Sequence, residues 1–496
     1  MNDWVGRALP RLEDAALLTG NARFVDDLSP VPGIRHVAML RSPLAHGRIH
    51  GIDSGAAERL PGVVGVVTGA QIADLLKPLA SAVRAPMAYY PIAVDKVRHV
   101  GEVVVLVAAE DRYLAEDAAE LIEVDYEPLP AVVEPLAALE PEAPLLHEEV
   151  GSNLVHQRSF AYGEPDTAFA AAAHVVHLNW RYPRQSATPI ETYGAIAHYE
   201  SNPERYTIWS NFQGPFILQP LMARALGIAG NQLRLIAAPH SGGSFGIKQG
   251  IYPYLVLLAA ASRSLGCPLK WTEDRLEHLT ASSSAADRAD GIEAAFDEDG
   301  QLTGLRFDNC VNVGAYVRAP EPASVYRMHA ASNGCYQVRN IAVENRLVTT
   351  NKTPVGLNRG YGGPQFYFGL ERAMDMAARK LDLDPAEIRR RNFIPSDAFP
   401  YNAPAGALYD SGDYGKGLEM LLEMADYPAL QARRREAKAA GRLFGIGLAA
   451  GVEPSGSNMA YVTLAQTAEE REKAGGRSGG TAAATVAIDP SGAVTV

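Results

Sequence analysis

A glycine-rich segment with a central arginine, placed directly ahead of an amphipathic helix, is the feature that most restricts how this chain can fold. It spans residues 358–365 and reads Asn-Arg-Gly-Tyr-Gly-Gly-Pro-Gln. The apolar residues after it recur at spacings of three, four and seven, which predicts a helix with one apolar stripe made of Phe366, Leu370, Ala373, Met374, Ala377 and Leu381. Glu371, Arg372 and Lys380 fall off this stripe, so we expect them on the polar face.

This segment has the composition of an anion-binding site. Glycines let the backbone approach a ligand closely, and the first N–H groups of a helix have no partner inside the helix. Arg359 adds a planar, permanently charged group suited to phosphate or a similar oxyanion. Taken alone, the segment is also compatible with a glycine-rich turn that carries a solvated arginine.

A second glycine-rich loop follows a predicted strand. Residues 233–238 predict a buried strand, residues 239–249 read Pro-His-Ser-Gly-Gly-Ser-Phe-Gly-Ile-Lys-Gln, and residues 252–265 predict an apolar helix. This order of elements again directs backbone donors at one point. The loop is not a P-loop, because Lys248 follows an isoleucine and precedes a glutamine where Ser or Thr would be needed for magnesium. It does not match the dinucleotide glycine spacing either.

The two loops and a third short motif resemble those of a known family. Together with Gln213, in the Ser-Asn-Phe-Gln-Gly-Pro of residues 210–215, they resemble the molybdopterin-binding large subunit of the xanthine dehydrogenase, aldehyde oxidase and carbon monoxide dehydrogenase family. Further similarity covers nearly the whole chain, with motifs at residues 11–14, 24–27, 41–46, 61–63, 100–102 and 389–392.

The resemblance implies which residues contact the cofactor. Gln213 would contact the molybdenum oxo group or the pterin, and Arg359 would hold the cofactor. The other positions implied to line it are Gly242, Gly243, Ser244, Phe245, Gly246 and Gly360. The implied cofactor is molybdopterin in its cytosine dinucleotide form, with molybdenum held through the pterin and by no side chain of this chain.

Substrate-facing roles are implied for Arg327, Gln249 and Tyr361. Gln249 stands where purine-oxidising members carry a glutamate, so the purine-type role of that residue is not implied here. For Arg327 the alternative is a surface ion pair. Gly360 stands where carbon monoxide dehydrogenases carry a copper-binding cysteine, which argues against carbon monoxide as the substrate.

The predicted fold class is α+β, in four segments. Residues 103–108 predict an apolar strand, residues 113–122 a helix and residues 123–126 a returning strand. Three prolines and little periodicity mark the connector that follows, at residues 131–153. The predicted segments are a hammerhead-type α/β domain at 1–130, a connector at 131–153, a first molybdopterin-binding domain at 154–395 and the start of a second, incomplete one at 396–496.

Three polar residues or groups of residues receive structural interpretations. Glu191, between strand-like runs, is interpreted as a hydrogen-bond anchor and not as a general base. Asp384 and Pro385 predict a capped helix start. The arginines at 389–391 are interpreted as partners of nearby acids rather than as a nucleic-acid site.

Composition excludes several classes of protein. The chain has 496 residues, 47% of them hydrophobic, which is enough for two or three domains. A formal net charge of -12 argues against a nucleic-acid partner. The start of the chain lacks a basic region followed by an apolar run, and no apolar stretch reaches the ~20 residues of a spanning helix, so we expect a cytoplasmic protein without a membrane partner.

The cysteines and the end of the chain point to further polypeptides. Cys267, Cys310 and Cys335 are too few and too far apart for an iron–sulfur cluster, so any such cluster is expected on a partner chain. The resemblance implies iron–sulfur clusters and FAD on partner chains. Residues 485–496 predict a strand, a turn and a returning strand in which the sequence stops. The Gln-Gly and Gly-Val-Gly-Glu segments of the family, the latter with its general-base glutamate, do not occur. We therefore expect either a fragment or a split large subunit completed by a second molybdopterin subunit, with [2Fe-2S] and FAD subunits as further partners.

The resemblance implies a component of a molybdenum hydroxylase. Its reaction would be the oxidative hydroxylation of a small heteroaromatic or aldehyde-type substrate, with water as the oxygen source and electrons passed to iron–sulfur and flavin subunits. The alternative is a non-catalytic molybdopterin-binding or assembly module. A phosphate-binding transferase is disfavoured, because no magnesium-binding acid follows either loop.

Overall fold

Two mixed sheets, one of seven and one of five strands, form the framework of the computed structural model, which describes residues 6–81, 83, 87–454, 460–473 and 485–495. The strands are β1 (Arg35–Arg41), β2 (Gly47–Asp53), β3 (Val63–Thr68), β4 (Lys96–Val97), β5 (Val103–Ala109), β6 (Glu123–Pro128), β7 (Leu154–Tyr162), β8 (His174–Tyr182), β9 (Gly194–Ser201), β10 (Glu204–Ser210), β11 (Leu233–Ala237), β12 (Leu269–Thr272), β13 (Asp287–Phe296), β14 (Leu302–Gly314), β15 (Asn340–Thr349), β16 (Tyr401–Asn402), β17 (Leu408–Tyr409), β18 (Ala487–Ile488) and β19 (Val494–Thr495).

Helices cover both sheets and supply most of the remaining core. They are α1 (Asp14–Leu18), α2 (Gly55–Glu58), α3 (Gly69–Ile72), α4 (Arg112–Glu120), α5 (Pro165–Ala170), α6 (Pro215–Leu226), α7 (Tyr252–Leu265), α8 (Arg275–Ala281), α9 (Ala323–Tyr326), α10 (Gly363–Lys380), α11 (Pro385–Asn392), α12 (Tyr414–Met424), α13 (Tyr427–Ala439) and α14 (Ala468–Lys473). A 3-10 helix at Ile247–Ile251 leads directly into α7.

The seven-stranded sheet joins early and later parts of the chain. Its strand order is β11-β10-β9-β12-β1-β5-β3, with β10 and β11 parallel and β1 and β12 parallel. Helix α7 packs on β9 and is buried along most of its length, as its apolar sequence predicts. The predicted strand, helix and returning strand of residues 103–126 are confirmed as β5, α4 and β6. The predicted segment boundaries at 130 and 153 stay predictions.

One strand prediction is wrong in its burial. The strand predicted at residues 233–238 forms as β11, but it lies at the edge of the sheet, and among its residues only Leu233 is buried. An edge strand has a neighbour on one side alone, here β10, so its apolar side chains are covered less completely than those of a central strand.

The five-stranded sheet has the order β7-β15-β14-β13-β8, with β14 and β15 parallel. Helix α10 packs on it, and the predicted stripe is confirmed, since Leu370, Ala373, Met374 and Ala377 are buried. The polar-face prediction is wrong for Glu371, which is 5% exposed. Its carboxylate is buried because it accepts hydrogen bonds from neighbouring elements.

The predicted connector and the last described residues of the chain contain little regular structure. Residues 131–153 contain a 3-10 helix at Ala137–Leu139, and the Val132 backbone N–H donates to Asn351 Oδ1 at 2.9 Å. Strands β18 and β19 form an exposed hairpin with two residues in each strand. The start of the chain at residues 1–5 and the terminal Val496, which entered the sequence predictions, lie outside the described residues.

Candidate cofactor-binding site

Parallel strands bring Gln213 and the second glycine loop to one sheet edge. Because β10 and β11 are parallel, their carboxyl ends lie side by side; Gln213 follows β10 and the loop follows β11. The Ser244 hydroxyl donates to Gln213 Oε1, and the Gln213 backbone N–H donates to the Lys248 carbonyl at 3.3 Å. The predicted neighbours therefore touch each other.

The glycine loop carries a run of backbone donors without acceptors among the described residues. Gly243, Phe245 and Gly246 have φ angles of 101°, 53° and 104°, in the left-handed region that favours glycine. The four backbone N–H groups of residues 243–246 donate to no group among the described residues. A run of unpaired N–H groups of this kind is suited to an anion.

The arginine segment lies directly against this loop. The Arg359 backbone N–H donates to the Phe245 carbonyl at 2.8 Å, and the Arg359 guanidinium lies 4.9 Å from the centre of the Phe245 ring. The side chain of Arg359 is exposed, and within the described part of the chain it forms no ion pair. The two loops predicted to form one site thus meet, with an unpaired cation beside the unpaired N–H groups.

Helix α10 closes the other side of a narrow cleft beside Arg359. Gln365, in the first turn of the helix, is 4% exposed, and its Oε1 atom has no hydrogen-bond partner in the described residues. Gly362 precedes the helix with φ 93°, and an added Cβ there would lie 2.0 Å from the Ser324 carbonyl oxygen. The backbone N–H groups of Gly360 and Gly362 are also without partners among the described residues.

The three residues predicted to face the substrate have different surroundings. Arg327 is mostly buried; its Nη1 donates to the Gly360 carbonyl at 2.8 Å, and its guanidinium pairs with Glu453. Tyr361 is 6% exposed, and its hydroxyl donates to Glu321 Oε1 at 3.3 Å. Gln249 is 4% exposed and follows the glycine loop in the 3-10 helix. Their substrate-facing roles stay predictions.

Burial shifts the pKa values of three ionisable groups in or next to the two loops. It raises the pKa of Glu321, although hydrogen bonds from Ser324 oppose the change. Burial, reinforced by the nearby Glu321 carboxyl, raises the pKa of Tyr361 well above its ordinary value. Burial also lowers the pKa of Lys248 despite its contact with Glu191. The tyrosine hydroxyl therefore stays protonated and able to donate.

Two residues of this site were not assigned a role from the sequence. Gln365 belongs to the arginine segment, and its place in the first turn of a predicted helix was the signal that its side chain lies near Arg359. Glu321 gave no local signal, because it contacts Tyr361 from 40 residues away in sequence.

An anionic cofactor fits these residues. The unpaired N–H groups of residues 243–246 and the exposed, positively charged Arg359 lie on the two loops that meet here, and both can attract an anion. Within the described ranges, no group of three or more His, Cys, Asp or Glu side chains is arranged to hold a metal ion. No described helix is both long enough and apolar enough to cross a membrane.

Family models match the two principal parts of the chain. Residues 146–393, half of the chain, match the molybdopterin cofactor-binding domain. Residues 19–130 match the a/b hammerhead domain of aldehyde oxidase and xanthine dehydrogenase. The chain belongs to the molybdopterin-binding large subunits of this family. The resemblance inferred from the loop motifs and the predicted α+β fold class are confirmed.

Similar proteins are large subunits of oxidoreductases. This molybdopterin-binding chain is 35% identical to the nicotine 6-hydroxylase large subunit of Paenarthrobacter nicotinovorans over 499 residues, covering 99% of the chain and 59% of that protein. It is 36% identical to the carbon monoxide dehydrogenase large chain of Hydrogenophaga pseudoflava over 468 residues, covering 90% of the chain and 57% of that protein.

A solved structure of similar fold is quinoline 2-oxidoreductase from Pseudomonas putida 86. Its TM-score is 0.82 at 36% identity, over 88% of this chain and 56% of that one. The molybdopterin-binding chain thus spans less than two thirds of the length of the relatives it matches.

Proposed function

We propose that this chain forms the molybdopterin-clamping part of a molybdenum hydroxylase large subunit. The enzyme hydroxylates a small heteroaromatic or aldehyde-type substrate, takes the oxygen from water, and passes the electrons to iron–sulfur and flavin centres on partner chains. The observation that carries this proposal is the contact between the two loops: the loop with four unpaired N–H groups touches Arg359 through Phe245. The related nicotine 6-hydroxylase and quinoline 2-oxidoreductase support a heteroaromatic substrate.

In this proposal the chain binds and orients, and the cofactor supplies the redox chemistry. When bound, molybdopterin provides the molybdenum that accepts two electrons from the substrate. The N–H groups of residues 243–246 and Arg359 hold its anionic groups, and Gln213 contacts the pterin or the molybdenum oxo group. These donors are held in place by the fold, so little reorganisation accompanies the reaction. The proposed form is the cytosine dinucleotide, whose pyrophosphate is the kind of anion that such N–H groups bind.

Three further residues are proposed to act on the substrate. Gln249 offers a neutral amide, and Arg327 and Tyr361 flank the Gly360 backbone, the first through its hydrogen bond to the Gly360 carbonyl. In the proposed mechanism Gln249 and Arg327 stabilise charge that develops on the substrate, and Tyr361 supplies an aromatic wall. The glutamate that acts as general base in the family belongs to the remainder of the large subunit.

The proposed assembly contains several polypeptides in the cytoplasm. The rest of the large subunit, as a second molybdopterin chain or a continuation of this one, completes the cofactor site, and [2Fe-2S] and FAD subunits accept the electrons. The names of the relatives support this assembly, since they include a large subunit, a large chain and a subunit gamma of a dehydrogenase complex.

The test is the molybdenum content of the assembled complex carrying Arg359→Ala. The chain is co-expressed with its genetic neighbours, and molybdenum per large subunit is measured by mass spectrometry. Loss of a charge-assisted contact of about 1.5–3 kcal/mol weakens cofactor binding about tenfold or more. The matched control is Arg205→Ala, an exposed arginine of β10. Molybdenum content equal to that of the control would contradict the role of Arg359.

The same preparation separates the enzyme from a non-catalytic module. The loaded complex is mixed with quinoline or an aromatic aldehyde and an artificial electron acceptor. Reduction of the acceptor supports the hydroxylase, whereas bound molybdenum without turnover of any substrate in either class favours a module for cofactor binding or assembly.

A further inference from the structure

The carboxylate of Glu191 contacts two residues of the second glycine loop, Gly242 and Lys248. Glu191 Oε2 accepts a hydrogen bond from the Gly242 backbone N–H at 2.8 Å and another from Lys248 Nζ at 2.6 Å. Its other oxygen, Oε1, lies 3.4 Å from the Val25 backbone N–H, which donates to it. Gly242 precedes and Lys248 follows the four residues 243–246 with unpaired N–H groups, so this carboxylate links the two sides of that run.

The ion pair between Glu191 and Lys248 is inside the protein. The Lys248 side chain has no exposed surface, and that of Glu191 is 14% exposed. No other hydrogen bond of the Lys248 amine occurs within the described residues. A buried charge that loses its partner is strongly unfavourable, so the positions of the two side chains depend on each other.

The contact between Glu191 and Gly242 occupies one N–H group of the loop and leaves the next four without an acceptor. Glu191 also pairs with Gly242 through its own backbone N–H, which donates to the Gly242 carbonyl at 3.4 Å. An added Cβ at Gly242 would lie 2.4 Å from the Glu191 Cβ, so the two backbones are as close as glycine permits. Beyond Gly242, which is held in this way, the N–H groups of residues 243 to 246 have no acceptor among the described residues.

The same contact extends to Gln213. Lys248 accepts a hydrogen bond at its carbonyl from the Gln213 backbone N–H at 3.3 Å, and the adjacent Ile247 carbonyl accepts one from the Tyr193 hydroxyl at 2.7 Å. Residues 247 and 248 are therefore also held by hydrogen bonds from outside the loop. Lys248 thus contacts Gln213 through its carbonyl and Glu191 through its amine, which links both parts of the proposed cofactor site on this sheet edge.

We propose that Glu191 is a positioning residue, which with Lys248 holds the glycine loop in the conformation that presents its N–H groups to molybdopterin. The proposal rests on the function proposed above. Glu191 does not act as a base, because both of its carboxylate oxygens already accept hydrogen bonds from the protein.

The first test is Glu191→Asp in the co-expressed complex. Aspartate keeps the negative charge opposite Lys248 but is shorter by one CH₂, so its carboxylate withdraws from the Gly242 N–H. We expect a folded subunit, with molybdenum per subunit about tenfold lower. The matched control is Glu200→Asp, an exposed residue of β9, which leaves molybdenum unchanged. A folded Glu191→Asp subunit with full molybdenum content would overturn the proposal.

The second test is rescue by a neutral pair. Glu191→Gln or Lys248→Met alone leaves one buried charge without its partner, and molybdenum content falls. In the double variant both charges are gone, and the glutamine oxygen still accepts from the Gly242 N–H. Molybdenum content of the double variant is expected to return to within about twofold of the unaltered protein. If the double variant loads no better than the single variants, the pair does not act by positioning the loop.

A third measurement does not depend on bound cofactor. Hydrogen exchange of the peptide covering residues 239–249 is followed by mass spectrometry on the cofactor-free protein, with and without Glu191→Asp. Faster exchange in the variant, confined to this peptide, is expected. If the unaltered complex carries no molybdenum but the variant still shows faster exchange, the proposed function fails and the positioning of the loop stands. Equal exchange rates would refute the positioning role.

Discussion

At the scale of single residues, Asp290 shows how burial sets chemistry in this protein. It lies in β13 and is 3% exposed, and its Oδ1 accepts a hydrogen bond from the Cys310 backbone N–H at 3.0 Å. Burial raises the pKa of Asp290 to about 7, with Asp308 reinforcing the rise and Arg288 and Arg346 opposing it. Below about pH 7 the neutral carboxyl is therefore the main form in the folded protein.

Asp290→Asn is expected to flatten the pH dependence of stability. In the unfolded chain an aspartate has a pKa of about 3.9, so between about pH 4 and pH 7 the folded state binds more protons at this site, and stability falls as the pH rises. Asparagine keeps the acceptor for Cys310 but does not ionise. Its advantage over aspartate in melting temperature should thus grow from pH 5 to pH 8. The control is Glu298→Gln, an exposed acid, and an advantage that does not change with pH would contradict the prediction.

At the scale of elements, α11 contrasts buried with exposed ion pairs. Arg389 has no exposed side-chain surface and donates to Glu371 Oε2 and Asp375 Oδ1, both at 2.9 Å, which links α11 to α10. Arg390, the next residue, is 42% exposed at its side chain and pairs with Glu387 and with an acid of α12. The helix start is confirmed as well, because Asp384 Oδ1 accepts from the Ala386 N–H at 2.8 Å.

Replacing adjacent arginines by methionine should have very different costs. Arg389→Met leaves the Glu371 carboxylate buried without its charged partner, which costs about 3–5 kcal/mol of unfolding free energy. Arg390→Met removes surface pairs that are worth about 0–1 kcal/mol. Urea denaturation followed by circular dichroism measures both, and Arg390→Met serves as the control. Equal shifts of the two denaturation midpoints would show that the buried pair contributes no more to the unfolding free energy than the exposed pairs.

At the scale of the whole molecule, the seven-stranded sheet combines segments that the family models match separately. Strands β1, β3 and β5 lie within the hammerhead match, and β9 to β12 lie within the molybdopterin-domain match. Strand β12 bridges them by pairing with β1 on one side and β9 on the other. One hydrophobic core contains residues of both parts, including Val103, Leu106, Leu269 and Trp271.

Cutting the chain at residue 130 is therefore expected to expose this core. The fragments 1–130 and 131–496, expressed separately, should aggregate or unfold without cooperativity, because each leaves β12 or its neighbour with an unpaired edge. Co-expressed, they should purify as a 1:1 complex. The control fragment 1–454 keeps both sheets and should stay folded. Size-exclusion chromatography and thermal unfolding decide the question, and two independently stable fragments would contradict the shared core.

The elements with strong periodicity could be predicted from the sequence. Helix α7 forms at Tyr252–Leu265 as predicted, because its apolar residues leave no polar face to place in water. The burial of β11 and of Glu371 was predicted wrongly, since each depends on neighbours far away in sequence. The local sequence pattern does not show whether a strand lies at the edge of a sheet or whether a carboxylate pairs with an arginine.

The sequence by itself determined the fold class, the family and the two loop motifs with Arg359, because backbone freedom at glycine and the charge of arginine are local properties. Only the tertiary structure decided that the Arg359 N–H meets the Phe245 carbonyl and that Arg327 contacts the Gly360 carbonyl. It also decided that Glu191 and Lys248, 57 residues apart, share a buried ion pair beneath the loop. Such contacts arise when parallel strands and packed sheets bring distant residues together, and burial makes the Glu191–Lys248 pair costly to break.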